Sequence, residues 1–90
     1  MSKHKKATET IIESLELPQD LFEGLPNLFL TGNRKLYISN HRGILLYERE
    51  EIVILAKSVQ IHVHGKELMI ESYTEDELVI RGYISFLGME

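Results

Sequence analysis

Apolar and polar residues alternate with a period of two through most of the chain after residue 26. Successive side chains of a β-strand point to opposite faces of a sheet, so each apolar row with this spacing predicts a strand with one buried face. Five such rows are present: Leu28 and Leu30; Leu36 and Ile38; Val59, Ile61 and Val63; Leu68 and Ile70; and Leu78, Ile80, Ile84 and Phe86. Two further apolar runs, 44–47 and 52–56, bring the expected number of strands to about seven.

Short segments rich in turn-forming residues separate these rows. They occupy residues 32–33, 40–43, 48–51, 57–58, 65–66 and 74–77. Parallel neighbours would need crossover connections of about a dozen residues or more, and no connection between the rows is that long. The sequence therefore predicts a mainly β fold, an antiparallel meander of about seven short strands that forms a curled sheet, a roll or a small sandwich.

Turn chemistry also predicts a register. Gly65 suits the first position of a two-residue type II′ turn, which would bring Val63 opposite Leu68 and His64 opposite Glu67. The loops at 32–34 and 74–76 predict the pairs Leu30–Leu36, Leu28–Ile38 and Ile70–Ile80.

The same register places Gly82 opposite Leu68. Gly82 interrupts an apolar row, and a glycine there predicts a bend or bulge that makes room for a large neighbour.

The runs 44–47 and 52–56 are apolar on both faces, which a sheet with one face in water does not require. The second face could be covered by the N-terminal segment, by another layer of the same curled sheet, or by another subunit. The outward residues of these runs are therefore candidate partner contacts: Leu45, Tyr47, Val53 and Leu55.

The chain before residue 25 has a different pattern. Thr10 and Glu13 have the spacing of a helix capping box, and Pro18 must end that helix at or before Leu17. We expect a flexible basic arm at 1–6, a short helical segment at 7–24 and one β domain at 25–90. The arm holds three lysines that are candidates for contact with an anionic membrane surface: Lys3, Lys5 and Lys6.

Ninety residues with 43% apolar and 27% charged content suit one small globular domain. The chain has no cysteine, which excludes disulfides and thiolate chemistry and is typical of a reducing compartment. No apolar run is long enough to span a bilayer. The net charge is −4, or near −7 once the three lysines of the arm are set aside, so we expect no nucleic-acid partner.

His62 and His64 stand two positions apart on a predicted strand, so both imidazoles project to one face and could share a metal ion. Glu67, across the predicted turn, would be the third ligand. The alternative is a pair of solvent-facing histidines that contact Glu67 or Glu71. In either case the local charge would change near pH 6–7.

The motif Asn40-His41-Arg42-Gly43 has the composition of a turn, and the alternative is an exposed recognition tip formed by His41 and Arg42. No nucleophile or paired carboxylate lies near it in the chain. The sequence also has no phosphate-binding glycine loop, dinucleotide fingerprint or Ser/His/Asp set. We therefore expect no enzyme, no cofactor and no small-molecule substrate.

Several segments, in order and spacing, resemble the YabP/YqfC family of sporulation proteins, and within it the YqfC-type members. They are Leu15-Glu16-Leu17-Pro18, Leu25-Pro26, Ile38-Ser39-Asn40-His41-Arg42-Gly43-Ile44, Ile61-x-Val63-x-Gly65-x-x-Leu68 and Leu78-x-Ile80-x-Gly82-x-Ile84. The resemblance implies a non-enzymatic protein of endospore formation in the cytoplasm of the mother cell, at or near a membrane. It also implies a membrane-bound sporulation protein resembling YqfD as a partner.

Two hypotheses of function follow. The first is a β-rich assembly or adaptor module that presents an apolar strand pair or a sheet edge to a second copy of itself or to a membrane-bound partner. The second is a metal- or proton-responsive binding domain centred on His62, His64 and Glu67.

Overall fold

The computed structural model describes residues 23–90, and this part of the chain forms six antiparallel strands and no helix. The strands are β1 (Asn27–Thr31), β2 (Lys35–Ser39), β3 (His41–Tyr47), β4 (Glu51–Ala56), β5 (Val59–Tyr73) and β6 (Glu77–Met89). The predicted mainly β, antiparallel fold is confirmed. The predicted basic arm and nearly all of the predicted helical segment lie outside the described residues. Within 23–90 there is no helix that could cross a membrane.

All six strands belong to one sheet, in the order β1-β2-β6-β5-β4-β3. Strands β3 to β6 follow one another as three consecutive hairpins, as the short connections predict. The β1–β2 hairpin joins the sheet at the other side, where β2 pairs with β6. Strands β1 and β3 are therefore the two edges.

This sheet cannot be flat, because β2 and β3 are four strand spacings apart in it but almost adjacent in the chain. Four spacings would separate them by about 19 Å in a flat sheet. Only Asn40 lies between them, and two Cα–Cα steps reach at most about 7.6 Å. The sheet must therefore curl until the end of β2 meets the start of β3. Asn40 forms this corner with a positive φ of 63°, and its backbone N–H donates to the oxygen of Asp76 at 2.8 Å.

One hydrophobic cluster fills the inside of the curled sheet, and its buried residues come from four strands, β2, β4, β5 and β6. Its buried residues are Leu36, Ile38, Ile52, Ile54, Ala56, Ile61, Val63, Leu68, Leu78, Ile80 and Ile84. Most of these residues come from the alternating rows. A fully buried Leu, Ile or Val contributes about 1.5–3 kcal/mol relative to an exposed one. The curled sheet thus buries the inner face of β4, formed by Ile52, Ile54 and Ala56.

The predicted number of strands, seven, is wrong because Gly65 and Lys66 form no turn. Strand β5 runs through them for 15 residues, so the predicted pairing of Val63 with Leu68 does not occur. Gly65 has no positive φ, which a type II′ turn would require at its first position. Position 65 requires glycine for another reason: a Cβ there would collide with the backbone oxygen of Tyr83 on β6.

The other predicted registers are confirmed: Leu30 faces Leu36, Leu28 faces Ile38, and Ile70 faces Ile80. Gly82 lies in the predicted irregularity, where the β5–β6 pairing shifts between Lys66 and Met69. Its φ is 151°, and a Cβ there would lie 2.9 Å from the Cα of Leu68, so this close approach requires glycine.

The predicted turn at 40–43 is too long: only Asn40 lies between the strands, since β3 already begins at His41. A single corner residue suffices because the strand direction changes there without a reversal of the chain.

Two tight turns satisfy backbone groups at the irregular centre of β5 and β6. The bonds run from Gly65 N to Glu50 O, Leu68 N to Arg49 O, Gly82 N to Arg34 O and Ile84 N to Asn33 O, at 2.7–3.1 Å. The β3–β4 and β1–β2 turns therefore help to fix the bend of the sheet.

Candidate functional site

The outer face of the sheet, turned away from the core, carries a group of side chains that we call the histidine cluster: Glu51, His62, His64 and Glu90. Glu51 is the first residue of β4 and pairs with His64 on β5. His62 and His64 alternate with the core residues Ile61 and Val63, so the period of two places both imidazoles on this face.

The atoms of the histidine cluster approach closely. Oε2 of Glu51 lies 3.5 Å from Nε2 of His64 and 4.0 Å from Nδ1 of His62. Ligand atoms of these three residues all lie within 4.8 Å of one another. The predicted pairing of the two histidines on one face is therefore confirmed.

Glu90 contacts the other nitrogen of His62. Its Oε1 lies 3.0 Å from Nε2 of His62, which is itself shielded from solvent. The distance fits an ion pair, but the direction of the contact does not satisfy the geometry of a hydrogen bond.

Glu67, the predicted third ligand, does not belong to the histidine cluster. The prediction depended on a turn at Gly65, and without that turn Glu67 lies three residues beyond His64 on the same strand. It has a positive φ of 54° within the β5 irregularity and lines a separate surface cavity with Arg34 and Arg49. Glu51 of the neighbouring strand takes the place expected for Glu67.

An aromatic contact positions His64. The ring of Phe86, the register partner of His64 on β6, meets the imidazole edge to face with centroids 5.4 Å apart. Gly88, the partner of His62, leaves space for that ring, because a Cβ at Gly88 would lie 2.8 Å from Phe86 Cε2. A shallow cavity beside these residues is lined by His62, His64, Phe86, Gly88, Met89 and Glu90.

The predicted recognition tip at 40–43 is only partly exposed. Asn40 and Arg42 are exposed, but His41 is buried, so the exposed tip is wrong for this residue. His41 Nε2 lies 2.8 Å from the backbone oxygen of Thr74, and its ring packs against Tyr73 with centroids 5.0 Å apart. His41 therefore ties the corner to the β5–β6 turn.

The four candidate contact residues of β3 and β4 differ in exposure. Leu45 and Tyr47 are about half exposed, Leu55 is half-buried, and Val53 is buried between its register partners Leu46 and His62. An outward apolar surface is thus present on β3, but Val53 is not part of it.

Sequence reasoning missed the most exposed large apolar residue of the described chain, Phe29 on β1, at 69%. Leu30 beside it is 44% exposed although it belongs to a predicted core row. No strand of residues 23–90 pairs with the outer side of β1, which we call the β1 edge. The sequence signal was available: Asn27–Thr31 has no charge and no proline, the residues that usually protect a sheet edge.

Comparison with known proteins gives a consistent result. A model of the YabP family matches residues 24–90, a range that includes all six strands. The chain is 32% identical over 74 residues to "Uncharacterized protein YqfC" of Bacillus subtilis (strain 168), covering 82% of this chain and 80% of that protein. No solved structure matches the chain significantly.

Proposed function

Because the chain belongs to the YabP family, we propose that it acts in endospore formation as a non-enzymatic assembly module that pairs with a second copy of itself through the β1 edge. The resemblance to sporulation proteins supports the process. The exposed, uncharged β1 edge supports the mode of action and is the observation that carries the proposal.

The β1 edge suits strand addition better than the β3 edge does. β1 pairs with β2 without a shift over all five residues, so it is regular. The pairing of β3 with β4 shifts twice, between His41 and Gly43 and between Ile44 and Leu46. Such bulges twist an edge and oppose pairing with another chain.

A second copy fits the β1 edge by symmetry and by charge. Two antiparallel β1 strands related by a two-fold axis through Phe29 would pair Leu28 with Leu30 and bring the two Phe29 rings together. Aromatic pairs across strands favour such a register. The protein carries a net charge of −4, which opposes self-association elsewhere, but β1 contributes none of it.

Sedimentation velocity of the full chain across a concentration series tests the proposal. We expect a reversible monomer–dimer equilibrium, because a two-strand contact buries less than the standard interface of about 1,600 Å². Phe29→Lys should abolish the dimer, since it puts a charge at the centre of the contact. Leu45→Lys, at an exposed apolar site on β3, is the matched control and should leave the dimer intact.

A monomer at all concentrations, or a dimer that only Leu45→Lys disrupts, would refute pairing through the β1 edge. If the protein is a monomer but Phe29→Lys still blocks spore formation, the edge serves another chain, such as a membrane-bound sporulation protein resembling YqfD. That result would overturn the self-pairing proposal and keep the adaptor role.

A further inference from the structure

We propose that Glu51, His62 and His64 form a binding site for a divalent transition-metal ion, with Zn²⁺ as its cation. The site is independent of the β1 edge: it lies on β4 and β5, whereas the edge is on the far side of β2 and β6. The proposal therefore adds a ligand to the assembly module and does not depend on how the module assembles.

The distances from Glu51 to the two histidines are close to what one small ion requires. Tetrahedral Zn²⁺ with bonds of about 2.0–2.1 Å holds its ligand atoms about 3.3 Å from each other. Oε2 of Glu51 is 3.5 Å from Nε2 of His64 and 4.0 Å from Nδ1 of His62. Small adjustments of the partly exposed Glu51 and His62 side chains would close the remaining difference.

Glu90 completes the arrangement as an orienting group. Metal-bound histidines usually donate their second ring N–H to a carboxylate or a carbonyl, which fixes the tautomer and the ring orientation. Oε1 of Glu90 lies 3.0 Å from Nε2 of His62, so in the proposed metal-bound state this nitrogen carries the proton and Glu90 accepts its hydrogen bond. The lone pair of Nδ1 then faces Glu51 and the ion.

The donor set selects the class of cation. Ca²⁺ and Mg²⁺ prefer sites built mainly of oxygen ligands, whereas two imidazoles with one carboxylate suit Zn²⁺ and its neighbours. The carboxylates of Glu51 and Glu90 also supply negative charge at the site. Three protein ligands leave a fourth position for water or for a group from another molecule.

The rigidity of the sheet supports the site. Glu51 and His64 are register partners on adjacent strands, and the Phe86 ring limits the rotation of His64. Ligands held in this way lose little conformational freedom when the ion binds, and this preorganisation raises affinity.

Isothermal titration of the full metal-free chain with ZnCl₂ tests the proposal. We expect one ion per chain with micromolar affinity, and visible absorption of tetrahedral intensity when Co²⁺ replaces Zn²⁺. Glu51→Gln and His64→Ala should weaken binding about 100-fold, and Glu90→Gln about 10–100-fold. Glu67→Gln is the matched control and should bind as the wild type does.

Circular dichroism of each variant separates loss of the site from loss of the fold. Absence of binding at tens of micromolar Zn²⁺ by a folded wild-type chain would overturn the proposal. Binding that survives His64→Ala would place the ion elsewhere, for example at His4 in the N-terminal segment, and would overturn it as well. An unchanged affinity of Glu90→Gln would remove the orienting role of Glu90.

Discussion

The phenol oxygen of Tyr47 on β3 accepts a hydrogen bond from the backbone N–H of Ile70 on β5 at 2.9 Å. These two strands are not neighbours in the sheet, since β4 lies between them. The bond therefore spans the curled sheet and links one edge to the second half of its longest strand. Tyr47, a predicted partner contact, therefore also links β3 to β5 within the molecule.

Tyr47→Phe should lower the free energy of unfolding by about 1 kcal/mol, because it leaves the Ile70 N–H without this acceptor. Urea denaturation followed by circular dichroism measures the change. Tyr73→Phe is the control: it keeps the ring against His41 and removes a hydroxyl that no described residue binds. Equal losses in the two variants would contradict a specific role for the Tyr47 bond.

Gly65→Ala should destabilise the protein by about 2–3 kcal/mol, since the new methyl group would meet the fixed backbone of Tyr83 and force β5 and β6 apart. Gly43→Ala provides the comparison, because nothing lies within 4 Å of a Cβ there and its φ is not positive. We expect that variant to remain within about 0.5 kcal/mol of the wild type. Thermal unfolding of both variants decides the question, and a tolerated Gly65→Ala would disprove the close approach.

The antiparallel β fold could be predicted because short-range signals determine it, whereas the curl follows from the long-range pairing of β2 with β6. Alternation identified the buried face of most strands, and the loop lengths at 32–34 and 74–76 set two registers correctly. The predicted turn at Gly65 was wrong because a glycine within a strand and a glycine in a hairpin turn cannot be distinguished by sequence alone. What distinguishes them is the proximity of Tyr83, which is known only after β5 and β6 are paired.

The histidines of the candidate site could be predicted from the sequence, but its carboxylates could not. The spacing of His62 and His64 is a property of one strand and was sufficient to place both side chains together. Glu51 could not be identified, since its place opposite His64 follows from the β4–β5 register. The contact with Glu90 depends in turn on how far β6 runs beside β5.

Tyr37 provides a prediction about pH. Its hydroxyl donates to Oε2 of Glu77 at 2.8 Å, and this hydrogen bond raises the pKa of Tyr37 above its ordinary value of 10.0, helped by desolvation and by the charges of Glu77 and Asp76. A pKa raised in the folded state stabilises the protein fully below the unfolded value, and this contribution is lost as the pH rises through the folded pKa.

We therefore expect Glu77→Gln to lower the pKa of Tyr37 toward 10.0, because the substitution removes the charged acceptor. Ultraviolet titration of tyrosinate absorbance, with Tyr37→Phe to assign the signal, measures the shift. Asp76→Asn should lower the pKa less, since Asp76 acts only through its charge. A Tyr37 titration that Glu77→Gln leaves in place would rule out the hydrogen bond as the main cause.

His41→Ala should cost about 2 kcal/mol, because it removes the contact with the Thr74 oxygen and the packing against Tyr73. The neighbouring Arg42→Ala, at an exposed position, should change the stability by less than about 0.5 kcal/mol. Chemical denaturation of the two variants compares them directly. Should His41→Ala prove neutral, the corner would not depend on this histidine.

The single-residue corner at Asn40 has a consequence for synthesis. Across this corner β2 does not pair with β3, and Ile38 pairs instead with Leu78 of β6, which is made 40 residues later. At about 5–20 residues per second, the ribosome needs about 2–8 s to make that stretch. During this interval β6 has not been made, so the β1–β2 hairpin has no strand to pair with. The side chains of Leu36 and Ile38 therefore stay exposed to water. We expect nascent chains stopped before residue 77 to bind chaperones, and chains extended past residue 89 to be released from them.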